Sequence, residues 1–415
     1  MNIIFVYLII SILSPFSCNN FFNQSPFDIQ IASAIKQMTS NHTTPSLIKH
    51  GADNKDPAST ASNNTVPISH CISFDPTNRT VTITCNSARL SDLYNTFNDG
   101  SILSKQTPTG TWFLSANLVI AKGATLHIDP NDTKWLKINS KPESRSGSRA
   151  GPTHIIDVFG SLRINSVKIT SWDPTTNNYA ITNGSRHGDS RHAGAPRPYF
   201  KVESRASGTA DIVNSEIAYL GYEKGKVSGQ GTDGLNYYGG DGSVLSGNNI
   251  HDLYFGFYSA GVGHIVIENN IIRNSGHYGL DPHTGTHDMI IRNNTVFRNG
   301  GIGIICSLDC YNVLIENNNV HDNAASGIMF SRNMTNSIAR NNIVYNEDTG
   351  IFVSQSNNNQ IYKNIVSNSE NGINVGSGSS DNKIYNNTIT KSTSHGISIN
   401  SKDSAANSIY SNFIR

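Results

Sequence analysis

Val266-Ile267-Glu268-Asn269-Asn270-Ile271-Ile272-Arg273 returns as Ile290-Ile291-Arg292-Asn293-Asn294-Thr295-Val296-Phe297, and again as Leu314-Ile315-Glu316-Asn317-Asn318-Asn319-Val320-His321. The Asn pair recurs at Asn341-Asn342 and Asn386-Asn387, with weaker copies at Lys363-Asn364 and Ser411-Asn412. Glycine keeps the same beat, at positions 234, 256, 279, 303, 327, 350, 372 and 396. A spacing of about 22 to 24 residues is that of a solenoid. No unit carries an apolar pattern of helical period, and each offers short β-branched runs with alternation, so the units are read as coils of short strands. In such a stack equivalent positions lie roughly 4.8 Å apart. One aliphatic column is expected to run through Val266, Ile290, Leu314, Ile338, Ile361, Ile384 and Ile409. A second runs through Ile272, Val296, Val320, Val344, Val366, Ile389 and Ile414, and between them falls a column of Asn270, Asn294, Asn318, Asn342, Asn364, Asn387 and Asn412. A stacked Asn amide can donate to one neighbour and accept from the other. The fold class is all-β, a right-handed parallel β-helix.

Outward from this array, residues 111–415 are assigned to the β-helix. The first 18 residues read as a signal peptide, because Ile3 to Leu13 is apolar but too short to span a bilayer. Residues 19–69, rich in Asn, Ser and Thr, are expected to form a disordered lead. Residues 70–110 form a small hairpin segment in which Cys71 and Cys85 are placed for a disulfide. Cys306 and Cys310 could be buried thiols or a bridge, and Cys18 could accept a lipid. Sequons at Asn41, Asn63, Asn78, Asn131 and Asn183 suit a secreted or cell-surface chain. The 36% hydrophobic and 15% charged composition is that of a polar globular protein, and a net charge of +1 offers no field to draw it to nucleic acid. Between 134 and 205, however, twelve Lys or Arg face five acids, which leaves open either solvated loops or a cationic wall for a polyanion.

Ionisable groups crowd one coil, His277-Tyr278-Gly279-Leu280-Asp281-Pro282-His283-Thr284-Gly285-Thr286-His287-Asp288. By register, residues one and three after the repeat glycine point inward, so Asp281 and His283 face out towards solvent. A His base, a Tyr acid and a carboxylate are the parts needed for proton transfer at carbon. Ser307 and Ser331 stack beyond His283, and Tyr258 and Tyr238 lie on its other side, a row that suits a sugar chain. His277 and His287 read as bystanders. Asp-Pro could also be a turn device, and Tyr278 could be packing at the coil corner.

The motif Tyr278-Gly279-Leu280-Asp281-Pro282-His283, with lead-in coils Ala218 to Glu223 and Tyr254 to Tyr258, resembles the mannuronan C5-epimerases, over about Ile212 to Asn342. The resemblance implies an exported isomerase acting on an anionic, uronate-containing polysaccharide. It implies that His283 and Tyr278 are the base and acid on opposite faces of the sugar, with Asp281 positioning substrate or His283. Two positions depart from the family: Thr284 stands where an acid often follows the His, and Leu308 where some members are basic. The cation that neutralises the uronate carboxylate is then expected from Arg332 or Lys224, with Tyr258, Tyr238 and Ser307 completing the substrate site. No cofactor or metal is expected, because there is no acidic Gly-Asp calcium roll and no Cys/His set at zinc spacing. A lyase that expels the 4-O substituent shares the same base. A glycosidase would want two or three carboxylates together, and a carbohydrate-binding solenoid would need none of this chemistry.

Overall fold

The computed structural model describes residues 70–140, 153–181, 196–223 and 231–415. The predicted signal, the lead, Cys18, Asn183, Lys224 and most of the loop that follows Tyr179 lie outside them.

Among the described residues, each coil contributes a strand to each of three sheets, of 13, 12 and 13 strands. Coil to coil, the pairing is parallel throughout, as in Val266–Glu268 beside Ile290–Arg292 or Ile271–Arg273 beside Thr295–Phe297. Among the described residues, antiparallel strand pairs are confined to the N-terminal end, Ile72–Asp75 with Thr80–Ile83 and Leu103–Gln106 with Thr111–Leu114. This is the right-handed parallel β-helix that the repeat calls for.

The expected boundary at residue 110 does not divide the structure. Thr80–Ile83 pairs in parallel with Asn117–Ile120, and Ala88–Arg89 with Leu126–His127, so the hairpin segment is itself the first coil. Cys71 and Cys85 are joined. A helix that the repeat gives no hint of, Leu90–Phe97, buries Leu90 and Leu93 in the same core. Asp92 closes its first turn by accepting from the Arg89 amide at 2.8 Å.

The interior confirms one aliphatic column and corrects the other. Ile272, Val296, Val320, Val344, Val366 and Ile389 are aligned and fully buried, whereas Ile414, in the same register on the last coil, is exposed. In the other sheet the inward residues are Ile267, Ile291, Ile315, Ala339, Ile361 and Ile384. Val266, Ile290, Leu314 and Ile338 therefore face outward, half-buried, and Ile338 pairs with Gln360 rather than Ile361. The slip of one residue arises because adjacent positions are both aliphatic, so alternation gives no signal there.

The Asn ladder is as expected. Asn294 Nδ2 donates to Asn318 Oδ1 at 3.0 Å, and the Asn294 backbone N–H donates to the same oxygen at 3.0 Å. The second amide hydrogen goes to the Ile267 carbonyl at 2.9 Å. Each buried amide is thus paired by its neighbours, at about 1 kcal/mol of net gain per bond and a larger cost if orphaned. The repeat glycine answers to a close approach: a Cβ at Gly279 would stand 2.5 Å from the Gly303 carbonyl oxygen. Cys306 and Cys310 are both buried free thiols.

Candidate active site

The site is built on the outer face of the first 13-stranded sheet, where Leu280–His283 lies between Phe255–Ala260 and Ile304–Ser307. Register places Asp281 beside Tyr258, and Tyr258 beside Asn236. His283 stands in a column with Ala260, Ser307, Ser331 and Ser354. Leu280 and Pro282 point into the core, so strand parity directs Asp281 and His283 outward, as the sequence requires.

Facing outward does not expose Asp281 to water: it is only 3% exposed. Tyrosines roof this part of the sheet. Tyr258 stacks on His283, with ring centroids 5.7 Å apart, and Tyr238 stands 6.0 Å from Tyr258. Phe255 holds Tyr278 at 5.3 Å and His277 at 5.0 Å. Burial raises the Asp281 carboxyl well above the usual carboxylate range, and a second buried carboxylate, Asp233, acts in the same direction. Sequence reasoning did not single out Asp233; the signal is its place immediately before Gly234, in a coil stacked two below that of Asp281.

His283 is fixed by two hydrogen bonds. Arg332 Nη2 lies 2.9 Å from its Nε2, and Thr284 Oγ1 lies 2.6 Å from its Nδ1. A guanidinium can only donate, so Nε2 is the acceptor and Nδ1 carries the hydrogen that Thr284 receives. Thr284 thus serves where the acid would follow the His, and neither of these bonds reaches Asp281. Burial and the adjacent Arg332 push the imidazole down to about 4, so it is neutral at ordinary pH.

Arg332, one of the two cations expected in place of Leu308, reaches the site. It follows Ser331 in a left-handed turn, with φ of 51°, and reaches back two coils while its Nε donates to Ser307 Oγ at 2.8 Å. Its charge acts on Asp281, Tyr258, Tyr278 and His283 alike. Tyr278 rests against Gly301, where a Cβ would come within 2.8 Å of its ring, so it does pack at the coil corner. It also feels Asp281 and Arg332, and burial raises its phenol, which keeps it protonated. Tyr278, Asp281, His283, Tyr258, Tyr238, Ser307 and Arg332 therefore come together; Lys224 lies outside the described residues.

The basic excess between 134 and 205 does not form one wall among the described residues. Arg163 pairs with Asp211 and Lys168 with Glu216, each at 2.9 Å. Lys137 lies 3.6 Å over the Trp172 ring, and Arg197 is buried on the carbonyls of Gly221, Leu220 and Asp252. Lys201, paired with Glu203, belongs to the same sheet face as the site, two coils before Tyr258 in its column.

Such an arrangement can remove a proton from a carbon beside a carboxylate. It holds a neutral imidazole, a cation for the carboxylate as it becomes enolate-like, and a protonated phenol.

Known proteins match this chain in fold and in part of its sequence. Residues 207–378 match the family described as periplasmic copper-binding protein (NosD). The chain is 28% identical over 189 residues to the mannuronan C5-epimerase AlgG of Azotobacter vinelandii, a match covering 43% of this chain. It spans only 31% of the length of that curated relative. Among solved structures, the periplasmic alginate epimerase AlgG superposes with a TM-score of 0.65 at 21% identity, covering 80% of this chain and 85% of that one. A double mutant of that epimerase gives a TM-score of 0.67, also at 21% identity, covering 81% and 85%. At this identity the structures establish the shared β-helix. Among the described residues, no helix is long and apolar enough to cross a membrane.

Proposed function

We propose that this chain is an exported C5-epimerase acting on uronate residues within an anionic polysaccharide, of the mannuronate to guluronate type. The observation that carries the reading is the Arg332 guanidinium seated on the Nε2 lone pair of His283. A uronate C6 carboxylate entering the groove competes for Arg332, draws the guanidinium onto itself, and frees Nε2 beside the C5 hydrogen. His283 then takes the C5 proton, the C–H electron pair passes into the C6 carboxylate, and Arg332 and its hydrogen bonds stabilise the added charge. Tyr278 returns a proton to C5 from the opposite face, which inverts the centre. Exchange with solvent discharges His283 and recharges Tyr278. Asp281, buried and with its carboxyl raised, keeps a neutral floor beneath the developing anion. The partial identity to AlgG supports both the reaction and mannuronan as the polymer to try first.

The test is incubation with polymannuronate in deuterated water, followed by proton NMR, beside His283→Ala. New guluronate signals with deuterium at C5, absent in the variant, are expected. Unsaturated chain ends would make the protein a lyase using the same base. No change across a panel of uronate polymers, with binding retained by the variant, would replace the enzyme with a carbohydrate-binding solenoid.

A further inference from the structure

Beyond the sugar site, we propose that His264, His287 and Asp288 form a binding site for a divalent transition cation, of the class that accepts imidazole with one carboxylate, such as Zn²⁺ or Cu²⁺. One ligand atom from each of the three lies within 4.8 Å of the other two. The repeat assembles them. Gly263 is bridged in parallel to His287, so His264 falls in register with Asp288, and the His264 amide donates to the His287 carbonyl at 3.1 Å. His264 and Asp288 both occupy left-handed turns, with φ of 59° and 50°.

The surroundings fix the His287 ring. A Cβ at Gly263 would stand 2.4 Å from His287 Cε1, so only glycine leaves room for the imidazole to lie across the lower coil. Tyr311 stacks on the ring at 4.9 Å and 9°, and His264 meets it edge-on at 5.8 Å. Asp288 lies 2.8 Å from His287 Nδ1 through Oδ2, and its Oδ1 accepts from Asn312 Nδ2 at 3.1 Å. Asn312 thus orients the Asp288 carboxylate, as outer hydrogen-bonded partners orient metal ligands. Metal–ligand bonds of about 2.0–2.2 Å require the donors to close in slightly, and His264, the exposed member, has room to turn. Two nitrogens and one oxygen suit zinc, copper or nickel, whereas calcium and magnesium prefer all-oxygen shells.

His264 lies a full coil before the adjacent His287 and Asp288, so the three show no zinc-ligand spacing in the sequence. An ion here would tie two coils together at the turn that follows His283, where the Thr286 amide and hydroxyl both donate to the His283 carbonyl, at 3.1 and 2.7 Å.

Metal-stripped full-length protein would be titrated calorimetrically with Zn²⁺ and with Cu²⁺ at pH 7.5, with Ca²⁺ for comparison. One transition ion per chain is expected, with an electron spin resonance spectrum of bound Cu²⁺ reporting two nitrogen ligands. Affinity should fall by more than about tenfold in His264→Gln and in Asp288→Asn, and stay unchanged in His283→Gln. Circular dichroism of each variant guards against misfolding, and metal should raise the melting temperature of the parent alone. No stoichiometric binding, binding that survives His264→Gln, or binding lost in His283→Gln would each overturn the assignment.

Discussion

Leu280-Asp281-Pro282-His283 and Ile373-Asn374-Val375-Gly376 occupy the same positions of the same sheet, four coils apart. Their inward residues do the same work, since Leu280, Ile373 and Val375 are all fully buried in one core. Their outward residues share nothing. The first strand presents a buried carboxyl and an imidazole beneath a tyrosine roof, the second an amide and a glycine. The backbone therefore acts as a ruler, indifferent to what stands on its outer face. What turns one rung into a site is the neighbouring coils: Tyr258 and Phe255 from below, and Arg332 reaching back from above.

The sharpest way to break this contrast is His283→Gln. Loss of a general base should lower turnover by about 10² to 10⁴-fold. The melting temperature should hold, because the residue packs outside the core. An equal loss of activity from Gly376→Ala, in the matching position four coils on, would refute the assignment of the site to this rung.

Arg332→Gln comes next. Removing the cation that meets the carboxylate should cost about 10²-fold in kcat/KM. It should also move the acid limb of the free-enzyme pH profile. His283 stands at about 4, lowered first by burial and then by Arg332. The variant keeps the burial and loses the charge, so the limb should shift upward towards the ordinary imidazole value. A fall in rate with no such shift would show that Arg332 acts only on substrate.

The regular coils should respond in stability instead. Asn318→Ala removes two donated bonds, to the Ile291 carbonyl and to Asn342 Oδ1, and strands the Asn294 backbone and side-chain amides that donate to its Oδ1. A cost of about 1–3 kcal/mol is expected by chemical denaturation, with turnover of the folded fraction unchanged.

These differences mirror what could be read in advance. The fold was legible because a repeat of about 22 to 24 residues states the same register many times. The Asn ladder and the Val320 column emerged intact because each is polar or β-branched at a fixed step. The Val266 column slipped by one because Val266 and Ile267 are equally apolar, and only backbone pairing distinguishes them. Tyr278, Asp281 and His283 were legible because they share one coil. Arg332 was identifiable only as a cation one coil beyond Leu308, since its reach depends on a left-handed turn that no local pattern announces. The burial of Asp281 was not legible at all: parity gives direction, and the roof comes from other coils. The helix Leu90–Phe97 falls outside the repeat and so outside its logic.

The smallest expected effects concern two buried carboxyls, one in each kind of region. Asp281 lies in the site, and Glu347 closes a second ladder, accepting from Asn323 Nδ2 at 2.8 Å. Burial raises Asp281 well above its ordinary range and brings Glu347 to about 9. For a carboxyl raised on folding, the unfolded chain releases its proton first. Stability is then full below the unfolded value of about 4 and declines as pH rises towards the folded one. Asp281→Asn and Glu347→Gln should therefore each flatten the loss of stability between pH 5 and pH 8, measured by urea unfolding at both values. Turnover should survive both, because Asp281→Asn keeps a neutral polar group beneath the proposed sugar site. If Glu347→Gln left the slope unchanged, the ladder carboxyl would be ionised and solvated in the native state. If Asp281→Asn abolished turnover, the Asp281 carboxyl would itself exchange a proton or bind the sugar, and the neutral-floor role would fail.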